Sequence, residues 1–197
     1  MVKGKYVVVK KIVMSEMNSR CQADLINMQS EPDGDYKFIL NYQDLLTKFV
    51  VFQPLETKIV DEVTDVIFKT FCLLGASNIL HSDNGREFCN KVIEALVAKW
   101  KGIKIVHGKP RHSQSQGSVE RANQDARDSL IAWMKENNTS RWVSGLRIVQ
   151  SSKNCSYHPE IKITLYEALF SVPQKNGLLH SCLPSDIAGN IDTEELE

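Results

Sequence analysis

The hydrophobic period of this chain changes near residue 60, and that change limits the folds open to it. Before it, apolar residues fall in short runs at 23–28, 36–42 and 49–55, broken by turn chemistry such as Glu31-Pro32-Asp33-Gly34. Such runs predict strands, and connections this short predict an antiparallel meander. After it, Val60, Val63, Ile67, Phe71 and Leu74 recur at helical spacing, with Gly75 placed to end the helix. Strands are then expected at 78–81 and 103–106 and helices at 86–100, about 117–137, about 142–150 and 165–170. Three strands followed by helices alternating with strands describe an α/β domain with a mixed five-stranded sheet flanked by helices. The pattern leaves the strand order open.

Size and composition agree with one such domain. The chain has 197 residues, of which 42% are hydrophobic and 24% charged, which suits a soluble globular core. The expected organisation is a basic leader at 1–18, a core at 19–172 and an acidic tail at 173–197. The net charge is zero, but base is clustered. Residues 1–20 and 101–121 each hold five basic residues against one acidic, and residues 183–197 hold five acids and no base. Clustered base can track phosphate, although each cluster taken alone is equally an ordinary solvated face. Five widely spaced cysteines include no C-x-x-C pair, which argues against a zinc knuckle or redox motif and for free thiols in a reducing compartment. No uncharged stretch is long enough to span a bilayer, so no membrane partner is expected and the chain reads as intracellular.

Three acids stand in distinctive local sequences. Asp24 lies within an apolar strand, where a carboxylate is costly unless it is paired or bound to metal. Asp83 follows a short apolar strand and precedes Asn84-Gly85, a turn that would expose its carboxylate at the strand's carboxyl end, where sites in open α/β sheets tend to lie. Glu120 falls on the long helix. There Val119, Ala122, Ala126, Leu130 and Trp133 form an apolar stripe, while Gln116, Glu120, Asn123 and Arg127 share a polar face. Singly, each has a plainer explanation: an edge residue, an ordinary turn and a solvated helix position. Together, carboxylates at two strand ends and on a helix can hold two divalent cations about 3.5–4 Å apart, the arrangement that steadies both oxygens at a phosphorus centre.

Longer motifs surround these acids: Gln22-x-Asp24, Ser82-Asp83-Asn84-Gly85-x-x-Phe88, and Gln114-Ser115-Gln116-Gly117-x-x-Glu120-Arg121-x-Asn123. A closing segment follows, with Asn154-x-x-Tyr157-His158 and Thr164-x-Tyr166-Glu167. On these residues the chain resembles the catalytic core of retroviral and Ty3/Gypsy-type integrases, the D,D,E class with a ribonuclease-H-like fold. The resemblance extends to integrase cores captured by vertebrate genomes, including those fused to KRAB- or SCAN-domain proteins. It departs in Cys21, where the family usually has Trp or Gly, in Leu165 for the usual Pro, and in Ser171 for a frequent Gly.

The resemblance implies that Asp24, Asp83 and Glu120 are the catalytic triad and the ligands of two cations, Mg2+ or Mn2+. It also implies DNA 3′-end processing and strand transfer, in the nucleus, by a homo-oligomer such as a dimer. Lys109, Arg111, His112, Gln114 and Gln116, in the segment before the long helix, are candidate DNA contacts with Asn123 and Arg127 on its polar face. The alternative is a catalytically idle module, domesticated to bind DNA, chromatin or its own copies. Its grounds are the neutral charge and the lack, within these residues, of a His-His-Cys-Cys zinc domain or a basic barrel.

Overall fold

The computed structural model describes residues 16–82, 86–107 and 113–175, with the side chains of 86–90, 93, 97, 105–107 and 113–122 excepted. Most of the proposed leader and tail, at 1–15 and 176–197, therefore lies outside the described residues.

Strands β1 (Arg20–Asn27), β2 (Phe38–Asp44) and β3 (Val50–Leu55) form the expected antiparallel meander. Helix α1 (Val60–Leu74) then crosses to β4 (Ile79–Ser82), and α2 (Arg86–Lys99) to β5 (Lys104–His107). Both of these strands enter the sheet in parallel, giving the order β3-β2-β1-β4-β5. The chain continues through α3 (Ser113–Glu136), α4 (Trp142–Cys155), the short strands β6 (Tyr157–His158) and β7 (Ile163–Thr164), and α5 (Leu165–Phe170).

Apolar cores fill both sides of the sheet. Val63, Ile67 and Phe71 of α1, with Val92 and Leu96 of α2, pack on Cys21, Ala23, Leu40 and Tyr42. On the opposite face Ala126 and Leu130 of α3, with Trp142, Leu146 and Val149 of α4, pack on Ile26, Ile39, Val50 and Phe52. Where its side chains are described, the predicted stripe on α3 faces this core, with Ala126 and Leu130 buried and Trp133 partly buried. Gly75, with φ of 86°, ends α1 in a conformation that favours glycine, and its N–H returns to the Phe71 carbonyl.

Several boundaries differ from expectation, and one element was not expected. Strand β1 begins at Arg20, because the polar residues Arg20 and Gln22 pair with Ile79 and His81. Helix α3 begins at Ser113, which takes Gln114 and Gln116 into the helix and out of the preceding loop. The β6–β7 hairpin is too short for a period to reveal. Ser171 ends α5 with φ of 60°, a left-handed position that explains why glycine suits it. The Thr164 and Glu167 of the closing motif form a reciprocal capping box.

Asn154 also gains a structural meaning. Strand β3 is a sheet edge, and its Val50, Phe52 and Pro54 face away from β2. Asn154 Oδ1 accepts from the Val50 N–H at 3.0 Å, and its Nδ2 donates to the Val50 carbonyl at 2.9 Å. Gln150 Oε1 accepts from the Phe52 N–H at 2.7 Å, and Pro54 has no N–H to offer. Two amides and a proline therefore blunt the edge that could otherwise recruit another strand. Asn154→Ala is expected to cost about 1–3 kcal/mol by orphaning two buried backbone groups. It should also raise the aggregation rate, which light scattering during mild heating would register. Stability and scattering at wild-type levels would count against this role.

Candidate active site

Alternation along β1 sends Cys21, Ala23 and Leu25 to the α1–α2 side, and Gln22, Asp24 and Ile26 to the α3–α4 side. Asp24, expected at a strand end, is instead the fifth residue of β1. What stops beside it is the parallel ladder to β4, whose last pair is Ala23 with Ser82. Asp24 and Asp83 are each the next residue in sequence after that pair.

Asp24 is 8% exposed. Its Oδ2 accepts from Gln22 Nε2 at 3.3 Å and, in a longer contact, from Asn123 Nδ2 at 3.5 Å. Asn123 belongs to α3, and its Oδ1 accepts from Asn41 Nδ2 of β2 at 2.7 Å. Glu120 precedes Asn123 by three residues on the same helix, so the two positions share a face. The side chain of Glu120 and the whole of Asp83 lie outside the described residues. Among the described residues, no three His, Cys, Asp or Glu side chains are grouped to hold a metal.

Asp44 is a second buried carboxylate. Asp44, 4% exposed, accepts from the N–H groups of Asn18, Leu46 and Thr47 and from the Thr47 hydroxyl. It is engaged by the β2–β3 turn. Asp24 presents hard carboxylate oxygen on a sheet face, with amide donors along one of its oxygens, which suits a magnesium-like cation.

Neither His81 nor Cys21 suits proton or nucleophile chemistry. An Arg20 guanidinium N–H donates to His81 Nε2 at 3.0 Å, which requires that nitrogen to be an acceptor and the ring neutral. Burial, then the nearby Arg20 charge, lowers the His81 pKa to about 4. Burial pushes the Cys21 thiol up to about 12, so it carries no reactive thiolate near neutrality. Cys21, Cys72 and Cys155 are all free thiols, as expected.

Of the candidate DNA contacts, Lys109, Arg111 and His112 lie outside the described residues, and Gln114 and Gln116 are placed on α3 by backbone alone. Arg127 is half-buried and reaches Ser30 Oγ at 3.3 Å. Asn41, absent from the sequence-derived site, was detectable as an amide within the apolar run of β2. No described helix is long and apolar enough to cross a membrane.

No family model matches the chain. It is 39% identical over 186 residues to the human KRAB-A domain-containing protein 2, covering 94% of this chain and 38% of that protein. The chain therefore spans well under half the length of that relative. The catalytic core of BIV integrase superposes with a TM-score of 0.61 at 27% identity, covering 78% of this chain and 95% of the core. The HTLV-2 integrase catalytic core, solved with magnesium in a trimeric form, superposes with a TM-score of 0.62 at 17% identity, covering 77% and 96%.

Proposed function

Because this chain belongs to the retroviral-type integrase catalytic cores, we propose that it acts on DNA by metal-assisted phosphoryl transfer. Asp24, Asp83 and Glu120 are the carboxylates of the site. Asp24 and Asp83 would hold one divalent cation, and Asp24 with Glu120 the other. The observation that carries this reading is the contact of Asn123 with Asp24, which joins the helix bearing Glu120 directly to the strand bearing Asp24.

When bound, Mg2+ or Mn2+ supplies charge stabilisation at phosphorus and lowers the pKa of the attacking hydroxyl. The chain itself supplies position. Gln22 and Asn123 donate to one oxygen of Asp24, and β1 sets that residue in register with Asn41 of β2. A neutral His81 committed to Arg20 takes no proton from the reaction. Lys109, Arg111, His112, Gln114, Gln116 and Arg127 are assigned to contacts with DNA, while the Asn123 amide is engaged by Asp24 and Asn41. With DNA as its proposed partner, the nucleus is its proposed place of work. The trimeric form of the HTLV-2 core supports a homo-oligomer as the working unit.

Strand joining on branched DNA with Mn2+ tests this reading, comparing the wild type with Glu120→Gln. Activity in the wild type that falls at least a hundredfold in the variant is expected, from the loss of several kcal/mol of charge stabilisation. Equal activity would remove Glu120 from the site. DNA or chromatin binding without joining by either protein would identify the idle module instead.

A further inference from the structure

Asn41 is 2% exposed and lies directly opposite Asp24 across the β1–β2 ladder, so the two share a face. Around it, Ile26, Ile39 and Phe52 belong to the apolar core beneath α3 and α4. An amide here departs from the pattern of its own strand, Phe-Ile-Leu-Asn-Tyr. Its Nδ2 donates to Asn123 at 2.7 Å, while its Oδ1 is buried and has no hydrogen-bond partner among the described residues. A buried, unpaired amide oxygen is destabilising, and an aliphatic side chain of similar size would avoid it.

The polarity of the chain of amides explains the retention of this group. An ionised carboxylate only accepts, so Asn123 must turn its Nδ2 toward Asp24. Its Oδ1 then faces Asn41, which must answer with its own Nδ2 and leave its oxygen on the far side. Reversing either amide would set like groups against each other. We propose that Asn41 is a positioning residue, which holds Asn123 in the one orientation that presents a donor to Asp24. The proposal rests on Asp24 being a metal ligand, because its consequence is a carboxylate held ready for a cation. Hydrogen bonds behind a metal ligand of this kind commonly change metal affinity 10–100-fold.

The test is Asn41→Val, with Mn2+ affinity measured calorimetrically and melting measured without metal. Affinity is expected to fall about tenfold or more, while the metal-free protein melts no lower than the wild type. In an Asn123→Ala background, Asn41→Val should bring no further loss. Wild-type Mn2+ affinity in Asn41→Val, or an equal loss in both backgrounds, would overturn the proposal. Asn41→Ala provides the same comparison if the valine variant does not fold. Failure of the functional reading gives a different result: the wild type and Asp24→Asn would both fail to bind Mn2+. The side-chain amide signals of Asn123, observed by NMR in metal-free protein, then decide the matter. They should shift in Asn41→Val and in Asp24→Asn, and unchanged signals would dismiss the relay.

Discussion

Asp24→Asn is expected to abolish Mn2+-dependent strand joining while leaving the fold intact. The substitution preserves shape and removes the charge. A cation then loses a carboxylate oxygen from a site proposed to depend on three. Charge stabilisation by bound metal contributes several kcal/mol to such transition states, and each 1.36 kcal/mol is tenfold, so a loss of at least 10²–10³-fold follows. Stability should change far less than activity, because an asparagine oxygen can still accept from Gln22 and Asn123. Joining assays on branched DNA, paired with thermal melts of the metal-free protein, measure both effects. Undiminished joining by a well-folded variant would remove Asp24 from the chemistry. A collapse in melting temperature would recast it as a structural acid, like Asp44.

The largest stability effect is expected at Trp142, which is fully buried at the start of α4. Its ring packs in the core with Leu130 and Leu146, and its Nε1 donates to the Glu31 carbonyl at 2.9 Å. Next to it, the Val143 N–H donates to Asp33 Oδ2 at 2.9 Å, so the first turn of α4 is fastened to the β1–β2 connection at two points. Trp142→Ala should cost about 3–5 kcal/mol through lost packing and the cavity left behind. Against a typical total of about 5–15 kcal/mol, that is enough to leave a sizeable unfolded fraction. Trp142→Phe keeps much of the packing and loses the N–H donor, for a cost nearer 1–3 kcal/mol from the orphaned carbonyl. Urea unfolding of the three proteins separates the terms. Phenylalanine as damaging as alanine would assign the energy to the hydrogen bond. Two small effects would mean that α4 docks chiefly through other residues.

The two expectations differ in how they could be reached. Asp24 was visible in the sequence, because an acid inside an apolar run has a physical cost that calls for an explanation. Trp142 was visible only as part of a helix. Nothing local announces that its indole nitrogen meets a carbonyl 111 residues earlier.

Local periodicity determined the elements themselves: the meander, α1 ending at Gly75, and the long helix with its buried stripe. Each of those follows from residues within a turn or two of one another, and the motifs around Asp24, Asp83 and Glu120 are equally local. Only the tertiary structure decided the order β3-β2-β1-β4-β5, the edge guard formed by Asn154 and Gln150, and the setting of Asn41 opposite Asp24 and against Asn123. The amide contacts among those features join residues 82 to 104 positions apart. A side chain's spacing along its own strand or helix reports which face it occupies, and the identity of the partner on that face is set by packing between elements.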